Sequence, residues 1–402
     1  MTVSSSRYRF LQVDGLRGIA ALAVVAFHFE GEIFGQDTLS TKSEQHLYLL
    51  LLSAELFFTV SGFVIFMSLE RKANLVDFWT SRILRIFPTY WLSVAAVGAL
   101  KLLTATAPFG LVLVNATMVQ RAFGYPDLVT AYWTLFWELI FYGLVSTSFF
   151  LFRGSNKDMD FFLLLFMLLM YAVQVVKMTA LGGVDHYKSA YLTHFLHFFV
   201  LGICLYKIAT RRAVALTYIA AILALGFSSF GRDDWAPVSG LVYFIGTGVI
   251  GSLVMLASHG RLPWLESPPL LFFGRLSFAL YLFHQLATEI CRLVGERCEA
   301  SPYVVTLAAG ALSLLLALAV DRWIEPPVRR GMAKVLERIE RPAKGWVATL
   351  TRTVAPAPAV GLTTVAATAA GKALRSRLRG RPPGPLDVRL PNVRLSNERG
   401  PT

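Results

Sequence analysis

The sequence predicts an all-α fold, a polytopic bundle of about ten transmembrane helices with both termini in the cytoplasm and a basic C-terminal tail. Of the 402 residues, 55% are hydrophobic and 16% are charged, whereas soluble globular proteins have about 25% charged residues. Apolar stretches of about 20 residues, the length at which a helix crosses a bilayer, recur along the chain. These two observations indicate a membrane protein built from helices.

Ten apolar stretches are interpreted as membrane spans. The first has no cleavage-site pattern and carries charged residues in register, so we interpret it as a retained helix and not as a signal peptide. Pro326 and Pro327 follow the last stretch and predict its end, because proline disrupts a continuing helix. The predicted spans are 14–30, 47–69, 87–107, 131–152, 160–177, 191–209, 213–230, 237–257, 270–290 and 302–325.

The orientation follows from the basic residues between the spans. The segments on the same side of the membrane as the N-terminus and residues 71–86 contain 13 basic residues. The segments on the other side contain seven. The positive-inside rule therefore places both termini in the cytoplasm, and an even number of spans agrees. Segment 71–86 itself reads as a basic amphipathic stretch on the cytoplasmic side, before the third span.

The C-terminal part of the chain carries most of the net charge of +13. Residues 326–402 contain 15 basic and four acidic residues, without the interleaved aromatic residues that nucleic-acid binding favours. We predict a membrane domain over 8–330, a basic amphipathic interfacial helix over 331–352, and a disordered, Pro-rich basic tail over 353–402 near anionic lipid. Nucleic acid is not an expected partner, and the oligomeric state is not predicted.

The cysteine and histidine residues do not predict a disulfide framework or a metal site. Cys291 and Cys298 lie close enough in sequence to pair on an outer loop, but free thiols are the favoured interpretation. His194 and His197 are three residues apart, yet a zinc site needs at least a third ligand. We therefore expect no bound metal.

The first span aligns two ionisable side chains. Arg17 and His28 are eleven residues apart, which corresponds to three helical turns plus about 20° and to a rise of about 16 Å. They therefore share one helical face, and Asp14 falls within about 40° of it. Ionisable residues at membrane depth are costly, which makes this face a functional hypothesis.

Other charged residues extend this hypothesis. The predicted topology places Glu55 and Glu138 in the outer half of the membrane, where they would meet His28 in one cavity. Arg82 and Arg85 are three residues apart, so they share a helical face at the cytoplasmic side. Ordinary positive-inside topology would also explain the two arginines, and a place in the lining of an aqueous vestibule would also explain Glu138.

Five motifs occur in one order over about residues 8–330, and together they resemble the acyltransferase-3 family of integral membrane acyltransferases. The resemblance implies transfer of an acyl group, usually acetyl, from cytoplasmic acyl-CoA to an extracytoplasmic glycan, in a multi-pass protein of the bacterial inner membrane. Lipopolysaccharide O-antigen and exopolysaccharide are among such acceptors. The motifs are DGLRGIAALAVVAFH, ELFFTVSGFVIF, RILRIFPTYW, WTLFWELIFY and YLFH.

The resemblance also suggests roles for single residues. The Arg–His pattern of the family falls on Arg17 and His28, and its Arg-x-x-Arg pattern falls on Arg82 and Arg85. We expect His28 to act as the general base, because neutral imidazole accepts a proton near physiological pH. Arginine forks match the phosphates of acetyl-CoA, so the three arginines are expected to bind the donor. Glu138 would orient His28 or bind the acceptor.

Further residues are candidates for substrate binding or for lining the pore. They are Asp14, Glu55, Ser61, Trp133, Trp137 and His284. Ser61 as an acyl-bearing nucleophile is the least favoured of these roles, and the two tryptophans would also suit an interfacial belt. Two alternatives to acetyl transfer stay open at this point: a non-enzymatic flippase or transporter of a lipid-linked saccharide, and transfer of a succinyl group.

Overall fold

The computed structural model describes residues 10–33, 44–152, 155–180, 195–230 and 239–338, and these residues form helices without a β-strand. The all-α prediction is confirmed. Within these residues the α-helices are labelled in chain order: α1 (Leu11–Ile33), α2 (Glu44–Leu69), α3 (Leu75–Leu103), α4 (Phe109–Asn115), α5 (Tyr132–Leu151), α6 (Asn156–Ala180), α7 (Leu196–Ala209), α8 (Ala215–Phe230), α9 (Gly240–Ser258), α10 (Pro268–Arg297) and α11 (Pro302–Ala319).

The described helices account for the ten predicted spans. Eight are long and apolar enough to cross a membrane, and α7 and α8 are shorter apolar helices. The short helix α4 lies in the connection between α3 and α5. Large apolar side chains stay exposed on the outward faces of the bundle, as expected where lipid replaces water as the neighbour. Examples are Leu168, Ile222, Leu241 and Leu307.

Helix α3 differs from the prediction. The amphipathic stretch 71–86 and the third span form one continuous helix, which begins at Leu75 because the Asn74 side chain accepts a hydrogen bond from the Asp77 amide. This is an N-cap, which satisfies an otherwise unpaired donor of the first turn. Pro88 lies inside the helix without ending it. Arg82 and Arg85 are therefore rigidly joined to a membrane span.

The end of the last span was also predicted wrongly. After α11 a π-turn covers Val320–Ile324, and the helix then continues to Arg338. Proline clashes with the carbonyl four residues before it, and the two carbonyls concerned, at 322 and 323, lie inside the widened π-turn. Residues 339–352 of the predicted interfacial helix and the tail 353–402 lie outside the described part of the chain.

Close backbone contacts hold the central helices together. Helices α1 and α10 run side by side in the same direction, and a Cβ atom added at Gly274 would lie 2.2 Å from the carbonyl oxygen of Asp14. Helices α2 and α7 cross in a similar way, because a Cβ at Gly62 would lie 2.2 Å from the carbonyl oxygen of Phe199. Small residues allow such approaches in membrane bundles, where packing drives helix association.

A buried ion pair joins three helices away from these crossings. Lys207 of α7 contacts Asp160 of α6 at 2.5 Å, and both side chains are fully buried. Thr217 of α8 donates a hydrogen bond to the same carboxylate at 2.9 Å. An isolated charge would be expensive at this depth, so the pairing fixes the relative positions of α6, α7 and α8.

We predict that Gly62→Ala destabilises the bundle. The added methyl group would overlap the backbone of α7, and overpacking typically costs about 1–3 kcal/mol. The matched control is Gly143→Ala in α5, where an added Cβ has no neighbour within 4 Å. Thermal unfolding of the solubilised protein should show a lower midpoint for Gly62→Ala and an unchanged or slightly higher one for Gly143→Ala. Equal midpoints would contradict the tight crossing.

Candidate functional site

A cationic cavity opens at the end of the bundle where α1 and α3 begin. We call it the basic mouth; it has a volume of about 330 Å³, and Asp14 is its acidic lining residue. Residues from α1, from α3 and from the segment after α2 contribute to it. Its cationic side chains are Arg17, Arg71, Lys72, Arg82 and Arg85.

Arg82 and Arg85 differ in how firmly they are held. Arg82 is 8% exposed; it donates a hydrogen bond to Ser68 at 3.0 Å, and its guanidinium lies 5.7 Å from the centre of the Phe78 ring. Its Nε has no hydrogen-bond partner among the described residues. Arg85 is exposed. The Arg82 guanidinium is thus held in place with one N–H donor unpaired, and the exposed Arg85 guanidinium can adjust to a ligand.

The basic mouth leads into a smaller cavity, which we call the inner chamber. Its volume is about 40 Å³, and Arg17, Arg82 and Arg85 line it as well. On its wall, Ser61 donates a hydrogen bond to Glu138 at 2.8 Å, and the Tyr142 hydroxyl donates to the same carboxylate oxygen. The chamber therefore combines three cations with one hydrogen-bonded carboxylate.

Two histidines meet farther along α1 and α10. The rings of His28 and His284 have centroids 5.0 Å apart, and Nδ1 of His284 lies 2.7 Å from the carbonyl oxygen of Tyr281. His28 is half-buried, whereas His284 is fully buried. The sequence analysis named both histidines, but only the structure shows that they form a pair.

An aromatic layer lies between the inner chamber and the histidine pair. Phe57 and Phe278 line the chamber, and the Tyr281 ring stacks on Phe57 with centroids 6.0 Å apart. On its other side, Tyr281 contacts His284 at 5.8 Å. One layer of side chains therefore separates the cationic cavities from His28.

The predicted face of α1 is directed at α10. Arg17 donates a hydrogen bond to Ser277 of α10 at 3.3 Å. Eleven residues later in α1, His28 contacts His284 of the same helix α10. The rise of about 16 Å along α1 thus runs from the cationic cavities to the histidine pair. Asp14 lies at the start of this path, on the wall of the basic mouth.

The two glutamates do not join His28 in one cavity within the described residues, contrary to the prediction. Glu138 lies in the inner chamber. Glu55 is buried, and it accepts a hydrogen bond from Tyr243 of α9. The reason is helical geometry: Glu55 precedes Ser61 by six residues in α2, so their side chains point about 120° apart.

The tryptophans occupy packing positions. Trp133 lies against Phe195, with ring centroids 4.6 Å apart, and Trp137 is buried beside Phe136. His197 packs against Phe198 at 4.0 Å; His194 lies outside the described residues. Across the described part of the chain, no group of three or more His, Cys, Asp or Glu side chains converges as metal ligands would.

The sequence analysis missed three contributors to the site. Tyr142 was not singled out, although its position four residues after Glu138 predicts contact on one helical face. Arg71 and Lys72 were interpreted only as markers of topology, and they line the basic mouth. Their place in the cavity depends on how α2 ends beside α3, for which the sequence has no local signal.

Comparison with known proteins places these features in a family. The family model described as an acyltransferase domain, of the acyltransferase-3 type, matches residues 10–322. The exopolysaccharide production protein ExoZ of Rhizobium meliloti (strain 1021) is 27% identical over 310 residues, which cover 73% of this chain and 94% of ExoZ. No solved structure matches the chain significantly.

Two further relatives match shorter parts. The acyltransferase MdmB of Streptomyces mycarofaciens is 30% identical over 145 residues, 33% of this chain and 38% of MdmB. Protein 2 in the picA locus of Rhizobium radiobacter is 34% identical over 96 residues, 23% of this chain and 45% of that protein.

We predict that Tyr142→Phe destabilises the inner chamber. The change removes one of two hydrogen bonds to a buried carboxylate, and a hydrogen bond to a charged group contributes about 1.5–3 kcal/mol. The control is Tyr218→Phe, at an exposed position of α8. The thermal midpoint of the solubilised protein should fall for Tyr142→Phe and stay constant for Tyr218→Phe. A Tyr142→Phe midpoint equal to that of the wild type would contradict this role.

Proposed function

The chain belongs to the acyltransferase-3 family, and from that premise we propose that it transfers an acetyl group from cytoplasmic acetyl-CoA to a glycan hydroxyl. The acceptor is a cell-surface or secreted glycan on the outer side of the bacterial inner membrane. The observation that carries the proposal is the alignment along α1: three arginines line joined cavities, and the same helix leads from them to a histidine pair.

The basic mouth and the inner chamber suit the donor. Coenzyme A carries a 3′-phosphate and a pyrophosphate, and guanidinium groups bind phosphates with two parallel hydrogen bonds. Arg85 is exposed and Arg82 keeps one donor unpaired, so both offer hydrogen bonds to a phosphate. Arg71 and Lys72 add positive charge at the opening. Together they support phosphate binding at this end, on the cytoplasmic side.

The path from Arg17 to His28 suits the extended arm of the coenzyme. The phosphates of the coenzyme would bind in the basic mouth, and its arm would run through the inner chamber towards the point where the thioester reacts. Phe57, Phe278 and Tyr281 lie on this route, so the aromatic layer must open for the thioester to reach His28. A closed layer without substrate would keep protons and ions from leaking through the bundle.

His28 acts as the general base in the proposed reaction. The imidazole takes the proton of a sugar hydroxyl while its oxygen attacks the thioester carbonyl carbon. The tetrahedral intermediate collapses, the carbon–sulfur bond breaks, and the coenzyme leaves as a thiolate. His28 then returns the proton to the sulfur, so that the products are an O-acyl sugar and coenzyme A with a free thiol. His284 positions the His28 ring.

Glu138 serves the donor side in this proposal. Its hydrogen bonds go to Ser61 and Tyr142, and it faces three arginines across the inner chamber. It therefore balances their charge when no phosphate is bound and keeps the chamber open. In this proposal Ser61 is a hydrogen-bond donor to Glu138 and carries no acyl group. Glu55, which bonds to Tyr243, stabilises the contact between α2 and α9.

The glycan acceptor is supported by the printed name of one relative, the exopolysaccharide production protein ExoZ. Mass spectrometry of surface and secreted glycans, comparing a deletion strain with its parent, tests the function. We expect the deletion strain to lose the mass of an acetyl group from its repeat unit. Loss of a succinyl mass would correct the acyl group. Loss of the exported glycan itself, with acylation intact on the remainder, would favour a flippase.

We predict that His28→Ala abolishes glycan acylation in the same assay when the variant replaces the wild type. Removing a general base lowers rates by about 10²- to 10⁴-fold. His259→Ala, at an exposed position after α9, is the control and should acylate normally. Protein abundance in membranes is measured in parallel. Wild-type acylation with His28→Ala at normal abundance would exclude the general-base role.

We predict that Arg82→Lys and Arg85→Ala each weaken coenzyme A binding to the solubilised protein, measured by calorimetry. Lysine keeps the charge but loses the paired hydrogen bonds of the guanidinium fork. The control is Arg330→Ala, an exposed arginine in the helix after the π-turn. Affinity should fall for both variants. For Arg85→Ala, which removes a charge, it should fall more at low salt concentration, where charge contributes most. Unchanged affinity in both would leave these arginines as determinants of topology.

A further inference from the structure

A third cavity lies at the opposite end of the bundle from the basic mouth. We call it the Gln285 pocket; it has a volume of about 300 Å³ and lies between α3, α10 and the segment before α5. Lys101 lines it and lies nineteen residues after Arg82 in α3, a rise of about 28 Å. This volume is at the lower end of the range of small-molecule sites in proteins.

The lining of the Gln285 pocket combines several kinds of polar group over an aliphatic base. A hydroxyl, an amide, a carboxylate, an ammonium and a guanidinium group face it, and its other lining residues are leucine and valine. Sugar hydroxyls both donate and accept hydrogen bonds, so a mixed set of this kind can match them. The polar lining residues are Lys101, Thr130, Gln285, Glu289 and Arg292.

Several of these groups keep hydrogen-bonding capacity. The Gln285 carbonyl oxygen accepts from the Ala131 amide at 2.7 Å, and its NH₂ group donates to Thr130. A hydroxyl that accepts one bond can still donate, so Thr130 keeps its own hydrogen for a ligand. Arg292 is bound to Glu289 at 3.0 Å. Within the described residues, no ion pair involves the Lys101 ammonium group.

The wall of the pocket is held in place by its own loop. The Asn115 side chain accepts a hydrogen bond from the Leu128 amide at 3.0 Å and donates to the Pro126 carbonyl oxygen at 3.1 Å. Arg121 binds Asp127 at 2.7 Å. A preformed wall lowers the entropy cost of binding.

The pocket is connected to the histidine pair through Gln285. Gln285 is 5% exposed and directly follows His284, whose ring contacts His28. The Ala131 carbonyl oxygen accepts a hydrogen bond from Tyr281 at 2.8 Å, and the Ala131 amide binds Gln285. The segment that forms the pocket wall is thus connected both to the aromatic layer and to the histidine pair.

From this geometry we infer that the Gln285 pocket binds the pyranose unit of the glycan that accepts the acyl group. The inference rests on the proposed function and adds the acceptor site. Lys101 and Thr130 bind hydroxyl groups that do not react, and the reacting hydroxyl is directed towards His28. Donor and acceptor would then approach the histidine pair from opposite ends of the bundle.

The test measures transfer from radiolabelled acetyl-CoA by the full chain in proteoliposomes. The acceptor is glycan purified from a deletion strain. Two variants remove binding groups, Lys101→Ala and Thr130→Val, and Thr130→Trp fills the pocket from an exposed position. Arg297→Ala, on the exposed end of α10 outside the pocket lining, is the control. Coenzyme A affinity is measured for every variant by calorimetry.

We expect Lys101→Ala and Thr130→Val each to raise the KM for glycan about 3- to 10-fold, the effect of one lost hydrogen bond. Thr130→Trp should abolish transfer. Coenzyme A affinity should match the wild type in all variants, which shows that the protein is folded. Wild-type glycan KM in the first two variants, or transfer by Thr130→Trp, overturns the acceptor site while the proposed function stands. No label transfer by the wild-type protein overturns the proposed function itself.

Discussion

The close crossing of α1 and α10 is the constraint on which the rest of the site depends. Gly274 has no side chain, and even one added carbon atom would lie 2.2 Å from a backbone oxygen of α1. The two helices therefore pack backbone against backbone and keep a fixed register. That register places Arg17 beside Ser277 and His28 beside His284. A larger residue at the crossing would move the helices apart and separate the histidines.

The buried ionisable groups fall into two classes with different consequences. Lys207 and Asp160 are fully buried and paired, so they stabilise packing and expose nothing to a ligand. Arg17, Arg82 and Glu138 instead line cavities, where water or a charged ligand can solvate them. A charge at membrane depth is costly in either case. Only the second class, however, can exchange its partners during a reaction.

The differences between prediction and structure concern how segments continue and which faces meet. The stretch 71–86 has the composition of an interfacial segment, and nothing in its pattern shows that it joins the following span. The joined helix places Arg82 among Ser68, Phe78 and the inner chamber. Likewise, Pro326 and Pro327 are strong signals for a helix end, but the π-turn before them accommodates both rings.

The sequence by itself determined the all-helical class, the positions of the apolar helices and the alignment of Arg17 with His28. These depend on the length of apolar stretches and on the helical period, which are local properties of the chain. Only the tertiary structure decided that Glu138 binds Ser61 and that Glu55 binds Tyr243. Such partners depend on how each helix is rotated about its axis. Close contacts between glycines and backbone atoms of distant helices determine that rotation, so no single segment specifies it.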